Sequence, residues 1–501
     1  METKENFSIL DRIATKTDPE EVSSFFQDLN LYQIIDKLSL RWGNNVKKYY
    51  RYFPFTKEDL IYRRGVYEDI KKDAIYDAFM TYTEDLSEVE RLRAEKDKVT
   101  SPLQRCAWHV REVETYCRTY EKLAQALERE EPASEGLKTF LDILKDILDS
   151  SYRQIGERTA KIIDELKKIR FIITYDKDRI GVTIGELPGE GTYEEMLKKD
   201  GREVKHFLNP FRNEPALTEL EESCIEIIAK KKPDFFKEIR AVANDTDGYE
   251  KPVLQRFEKE IIFYLSFCTF EREMENEGMH FATPEIDEDK PMQATGLYDL
   301  ALSLSALYTD KKVVPNDFYY EKGESFFVLT GPNQGGKTTF ARSLGQLVYF
   351  ARMGLDVPAQ SANVHFFPDI QTHFSVEESI ETGRGKLKEE LIRLAPMMAD
   401  QKSGTFVIIN ELFTTAASYD AVIMGKKVLE HFIGLGCTGI YVTHLKELAD
   451  CHEGIVSLRA MLDDKRIQTF KIRRGEAEDT PSAENLVNKY RLTYEQLKER
   501  L

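Results

Sequence analysis

Cysteine is scarce and scattered: the 501 residues hold six (Cys106, Cys117, Cys224, Cys268, Cys437, Cys451), with no C-x-x-C pair, and the eight histidines do not cluster with them. That spacing argues against a disulfide framework or a zinc site and fits a reducing cytoplasm. No run of about 18 apolar residues occurs, so no membrane span is expected. The opening Met1-Glu2-Thr3-Lys4-Glu5 lacks a positive region followed by an apolar stretch, so no secretory signal is read. Net positive charge is missing as well. A formal charge of −17 argues against a chain coated in positive potential, while leaving room for a local basic channel.

What is present points to a helix-rich chain of several domains. A hydrophobic content of 41% supports real cores, and 32% charged residues imply long solvated faces. The length exceeds the roughly 100–200 residues usual for one domain. Ser101-Pro102 reads as a helix start, with serine as cap and proline at the first helical position. A heptad seam follows at Leu103, Cys106, Val110, Val113, Cys117, Tyr120, Ala124 and Leu127. After Pro132-Ala133-Ser134 a second seam runs Leu137, Leu141, Leu144, Leu148, Tyr152, Ile155, Thr159, Ile162, Leu166, Ile169. Two steps of four in a row around Leu148 predict a local change of winding. At about 1.5 Å per residue this helix would be about 50 Å long, and the pair should pack antiparallel. Two readings stay open for it, a helical hairpin inside a bundle or a lever arm.

The β-branched runs Phe171–Tyr175 and Ile180–Ile184 around a charged turn predict a hairpin. Gly185 to Asp200 reads as a loop or small insertion, and helical patterning returns from Leu217 to Glu277. Asp287-Glu288-Asp289-Lys290-Pro291 is the best linker candidate. Beyond it the period changes: short apolar runs at Phe326–Thr330, Phe406–Ile409 and Thr438–Thr443 alternate with helical patterns, as in βαβ units with a mainly parallel sheet.

The first of those runs leads into Gly331-Pro332-Asn333-Gln334-Gly335-Gly336-Lys337-Thr338-Thr339 and an amphipathic helix. This matches G-x-x-x-x-G-K-S/T in the strand–loop–helix context that the motif requires. The glycines let backbone amides turn inward around phosphates without a Cβ in the way, and the helix N-terminus adds its dipole. Lys337 would neutralise the terminal phosphates of ATP, and Thr338 would offer its hydroxyl to Mg²⁺. The run at Thr405–Ile409 ends in Asn410 and Glu411. Asn410 stands where Asp is usual and brings no charge to the metal, while Glu411 is the candidate general base. Ile440–Thr443 ends in His444, which resembles the histidine that ATPases of the ABC type place there to sense the terminal phosphate and position the water.

Taken together these elements resemble the ATPase domain of the MutS family of DNA mismatch repair ATPases. The family pattern T-G-P-N-M-G-G-K-S-T stands here as Thr330 to Thr339. Val314-Pro315-Asn316-Asp317 is similar to its V-P-N-D segment, and Gly354 to Ala359 to its G-x-x-V-P-A. Thr414 to Ala421 takes the place of the G-T-S-x-x-D-G segment that meets the partner subunit, and Thr443-His444 matches its T-H pair. Pro54-Phe55 with Ile61-Tyr62-Arg63-Arg64, and Glu260 to Leu265, are similar to parts of its core domain. The resemblance implies an α plus α/β fold, a helical core and lever with long antiparallel helices followed by an ABC-type P-loop ATPase domain. Its expected parts are a core over 1–100, levers over 101–216 with a reduced clamp-like hairpin insertion at about 171–215, a returning core over 217–290, and the ATPase domain over 291–501.

Departures from the family shape the functional expectation. No mismatch-reading domain is read before the core. Phe236-Lys237-Glu238 spells the family's Phe-x-Glu wedge but falls in the helical return, a coincidence of spelling. Where the family's Ser-Thr-Phe reaches the neighbour's ATP, Gly383-Arg384-Gly385-Lys386 stands, either a cationic loop acting in trans or a helix-capping turn. No helix-turn-helix extension of the family's kind is read in the sequence up to Leu501. The expectation is a cytoplasmic, Mg²⁺-dependent ATPase that binds duplex, mispaired or branched DNA as a homodimer closed through its ATPase domains, in mismatch repair or a related role. Its DNA-binding residues are unknown: Lys230-Lys231-Lys232 and Lys167-Lys168-Arg170 read first as solvated faces. The alternative is a nucleotide-gated interaction module with slow or no hydrolysis. A transporter's energising subunit would carry a serine-glycine-glycine signature that is missing here.

Overall fold

The computed structural model describes residues 6–12, 24–54, 56–176, 179–185, 219–309, 312–374, 385–399, 402–464, 467–476 and 498. The chain divides into two compact units, Met1–Phe7 with Glu68–Glu258 and Ser8–Tyr67 with Lys259–Leu501.

The first unit is built on the long helices Asp73–Lys98 and Pro102–Glu130. Pro102 sits in the opening turn of its helix, where its missing N–H has no intrahelical acceptor to lose. Along that helix Val110, Val113, Cys117, Tyr120, Ala124 and Leu127 are buried, and Leu103 and Cys106 partly so. The second seam forms the helices Glu135–Ile147 and Arg153–Lys168, joined by one π-helical turn at Leu148–Tyr152. The expected irregularity at Leu148 is therefore a π-bulge: one extra residue in the turn keeps both Leu148 and Tyr152 buried on the same side. Ser134 caps this helix by accepting from the Leu137 N–H at 3.3 Å.

Tyrosine hydroxyls make the first unit's interior polar as well as apolar. Tyr120 and Tyr116 donate to Glu258 Oε1 at 2.7 and 3.0 Å, and Tyr82 donates to Tyr120 at 2.9 Å. Burial pushes the Glu258 carboxyl above its ordinary range, against the pull of those two donors. The hairpin appears as β1 (Phe171–Asp176) and β2 (Arg179–Ile184), antiparallel with Phe171 opposite Ile184. Val182 joins a cluster with Ile162, Ile228, Phe236 and Ile239. Phe236 is thus a core residue of the Pro233–Asp245 helix, in keeping with its reading as no wedge. The clamp-like region beyond Gly185 lies outside the described residues until 219.

The second unit carries two sheets. The smaller is ordered β3–β7–β4–β5. Its strands are β3 (Glu285–Ile286), β4 (Gln293–Leu297), β5 (Asn316–Tyr319) and, later in the chain, β7 (Ser361–Val364). Residues 287–291, the linker candidate, are the loop between β3 and β4, where the Asn363 side-chain amide reaches the carbonyls of Asp287 and Pro291 at 3.0 Å each.

The larger sheet is ordered β12–β11–β6–β10–β9–β8. It comprises β6 (Phe326–Thr330), β8 (Ile370–Phe374), β9 (Phe406–Asn410), β10 (Thr438–Val442), β11 (Ile455–Leu462) and β12 (Gln468–Arg474). Five of these strands run parallel, and β12 closes one edge antiparallel. Every residue of β6 and β9 is buried, as expected of a parallel sheet covered on both faces. The helix Lys337–Arg352 lies in this core: a Cβ on Gly345 would run into Leu29 on one side and Ile408 on the other. The fold is accordingly the mixture of helix and sheet that the sequence predicts. In such sheets ligands gather beyond the carboxyl ends of the strands, which here means after Thr330, Asn410 and Val442.

Candidate functional site

After Thr330 the chain leaves the sheet as a tight loop and enters the helix at Lys337. Gly331 (φ +129°) and Gly336 (φ +85°) hold backbone that side chains rarely adopt. Gly331 also lies close to β11, so that a Cβ there would sit 3.1 Å from the Ala460 nitrogen. Gln334, at φ +61°, takes the left-handed region without being glycine, a strain of about 1–3 kcal/mol of the kind found at ligand-binding loops. The Gln468 side chain donates to the Asn333 carbonyl at 2.7 Å and ties the loop to β12.

Lys337 Nζ donates to two carbonyls of its own loop, Gly331 at 2.7 Å and Pro332 at 3.1 Å. Burial pushes its pKa down from the ordinary lysine value, and the charge of Glu411 acts against that shift. Among the described residues its hydrogen-bond partners are neutral carbonyls, and a buried cation so held is poised for an anion. At the next residue, Thr338 Oγ1 donates to Asn410 Oδ1 at 3.0 Å, joining the helix to the end of β9.

Glu411 follows at φ +55°, with its N–H on the Val442 carbonyl at 2.9 Å. Its Oε1 lies 3.1 Å from His444 Nε2. The sheet thus brings Lys337, Thr338, Asn410, Glu411 and His444 to one edge, although up to 107 positions (444 − 337) separate them in the sequence.

A cavity of about 680 Å³ opens over this edge. The loop and first helical turn line one end of it through Asn333, Gln334, Gly336, Lys337, Thr338 and Thr339, together with Glu411. Leu297, Tyr298, Val313, Val314 and Phe470 also line it. Gly331, Pro332, Gly335, Asn410 and His444 are not part of the lining. The size and the mixed apolar and polar lining suit a small-molecule site.

Phe470 has no counterpart among the sequence motifs. It stands on β12 at φ +57°, with its ring beside Gly336. Asn316 of β5 bridges its position, donating to the Phe470 carbonyl at 3.1 Å and accepting from the Ile472 N–H at 2.8 Å. The Val314-Pro315-Asn316-Asp317 segment carried that signal by resemblance alone, with no role attached. Of the Gly383–Lys386 loop, Gly383 and Arg384 lie outside the described residues. Gly385 precedes the helix Lys386–Ala399, its carbonyl accepting from the Lys388 N–H at 2.9 Å and the Glu389 N–H at 3.2 Å.

The donor set fits Mg²⁺. Thr338 and Asn410 present neutral oxygens and Glu411 a carboxylate, and among the described residues no group of three or more His, Cys, Asp or Glu could cage a metal. Mg²⁺ sites with one or two protein oxygens, waters and substrate phosphates have this character.

Residues 327–477 match the family model described as MutS domain V. This stretch contains β6, the loop, Asn410, Glu411, His444 and Phe470. This part of the chain is similar to the MutS family. The chain is 24% identical over 325 residues to the DNA mismatch repair protein MutS of Thermotoga maritima, covering 63% of this chain and 38% of that one. It is 28% identical over 152 residues to the MutS of Fervidobacterium nodosum (30% and 18% covered), and 32% identical over 143 residues to the DNA mismatch repair protein MSH3 of Arabidopsis thaliana (28% and 13%). The chain spans less than two fifths of the length of each of these MutS-family relatives. No helix among the described residues is long and apolar enough to cross a membrane.

Proposed function

We propose that this chain is an ATP-dependent DNA-binding protein of the MutS type, in which hydrolysis of ATP with Mg²⁺ drives DNA clamping in mismatch repair or a related repair role. The observation that carries the reading is the buried Lys337 ammonium, held by loop carbonyls beside a cavity that Phe470 also lines. On nucleotide binding Lys337 exchanges those carbonyls for terminal phosphate oxygens, and the amides around Gly331–Thr338 cradle the chain of phosphates. Phe470 offers its ring to the base. Thr338 and, through water, Asn410 and Glu411 would hold Mg²⁺, which neutralises charge on the phosphates. Glu411 accepts the proton of the attacking water as its oxygen adds to phosphorus and the bond to the leaving diphosphate breaks. His444, bonded to Glu411, keeps that carboxylate aimed.

The start of the Ser418–Gly434 helix supports a homodimer formed through this unit. Tyr419 is 78% exposed and Ile423, one turn on, is exposed too, an apolar pair suited to a second copy. Gly383 to Lys386 would reach the partner's nucleotide. Six dispersed cysteines with no C-x-x-C pair fit a cytoplasmic protein. Calorimetry with ATP and Mg²⁺, followed by a binding panel of homoduplex, mispaired and branched DNA with and without ATP, tests the whole reading. Affinity should fall steeply with salt. Equal binding of homoduplex and mispaired DNA would remove the mismatch role and leave the ATPase.

Asn410 favours a second reading, a nucleotide-gated module that turns over slowly or not at all. It leads to a direct prediction. Asn410→Asp adds a carboxylate beside Thr338 and should lower the Mg²⁺ concentration for half-maximal activity about tenfold, or about 1.4 kcal/mol. An unchanged Mg²⁺ dependence would show that position 410 does not face the metal. In the same cavity, Phe470→Ala should weaken ATP binding by about 1–3 kcal/mol, the usual worth of a base–aromatic stack. Inorganic triphosphate, which has no base, should bind both proteins alike; equal losses for the two ligands would place the base elsewhere.

A further inference from the structure

The turn that carries Glu411 contains two left-handed residues without a glycine, Glu411 at φ +55° and Phe413 at φ +63°. Such backbone persists only where its surroundings hold it. Here two polar contacts and a buried anchor do so. The Glu411 N–H is bonded to the Val442 carbonyl at 2.9 Å, within the sheet. At the far end the Phe413 N–H donates to Glu390 Oε2 at 3.1 Å. Leu412 and Phe413 are themselves buried, 2% exposed each. Glu390 is also 2% exposed, and a carboxylate bonded to a backbone N–H away from water is a strong, directional hold.

Glu390 belongs to the helix Lys386–Ala399, five residues beyond Gly385. From the strand side His373 Nε2 lies 3.4 Å from the Glu390 carbonyl, so the same residue also joins this helix to β8. We infer that Glu390 is a positioning residue: it pins the left-handed turn that aims Glu411, and it thereby couples the helix after the Gly383–Lys386 loop to the hydrolytic carboxylate. The inference rests on the hydrolytic reading for its kinetic consequence but not for its geometry.

Three variants of the full chain test it. Glu390→Ala removes the acceptor, Glu390→Asp withdraws it, and Glu390→Gln keeps an acceptor oxygen at the same reach. Since a misplacement of about 1 Å in a reacting group costs about a hundredfold, kcat should fall at least about thirtyfold in the Ala and Asp variants. ATP affinity should stay within about threefold of wild type, and the Gln variant should retain wild-type kcat within the same margin. Histidine-selective labelling supplies a readout independent of turnover: the His444 ring signals should shift in the Asp variant and stay in place in the Gln variant. A folded Asp variant with wild-type turnover and unmoved His444 signals overturns the inference. So does a parallel loss of binding and turnover in all three variants, which marks a merely structural residue. If the wild-type chain binds ATP without turning it over, the hydrolytic reading fails, and the His444 signals alone then decide the role of Glu390.

Discussion

Lys337→Ala should remove nucleotide binding while leaving the fold intact. In the structure the ammonium is buried, its pKa is depressed by that burial, and its two hydrogen bonds go to carbonyls that it would exchange for phosphate. Truncating one partner of a buried charged pair typically costs about 2–5 kcal/mol, so ATP affinity should fall about 30- to 5,000-fold. The free chain should lose little, because the variant no longer has to bury a cation. The measurement is thermal unfolding with and without MgATP. A ligand at about 100 times its Kd stabilises by about 2.7 kcal/mol, and the resulting rise in Tm should fall to about a third or less of its wild-type size in Lys337→Ala. An equal rise in both proteins would detach Lys337 from the phosphates and with it the reading of the whole cavity.

Glu411→Gln should separate binding from chemistry. The amide keeps the size of the side chain and an oxygen for the His444 contact at 3.1 Å, yet it cannot accept the proton of the attacking water. General-base contributions of about 10²–10⁴ predict a fall in kcat of that order. ATP affinity should be unchanged or tighter, because a negative charge beside the phosphates is gone. Single-turnover phosphate release together with equilibrium binding distinguishes the outcomes. Turnover within about threefold of wild type would assign the base to another group. A wild-type chain that binds tightly and never turns over would favour the nucleotide-gated module instead.

Much of this site is legible in the sequence, because its parts are local. A glycine-rich turn between a buried strand and a helix needs only contiguous residues to declare itself, and Gly331–Thr339 does so. Asn410–Glu411 and His444 are legible by a weaker rule, polar residues ending apolar runs, since the ends of parallel strands converge at one sheet edge. The π-turn at Leu148–Tyr152 is foreshadowed too, since two consecutive steps of four in a seam leave room for one extra residue.

Other parts have no local signal. Phe470 is one aromatic residue in an edge strand, 132 positions (470 − 338) after Thr338. Only the antiparallel return of β12 beside β11 brings its ring to Gly336. Glu390 reads in sequence as one more charge on an amphipathic helix, and its burial against the Phe413 N–H follows from how that helix meets the sheet.

The order of residues by itself determined the loop, the strand ends beside it and the long helical seams, because hydrophobic period and glycine placement act over a few neighbouring residues. Tertiary packing alone decided which distant groups face the cavity and which hold its strained turns. Those choices depend on strand order, and strand order is settled by the burial of whole faces at once.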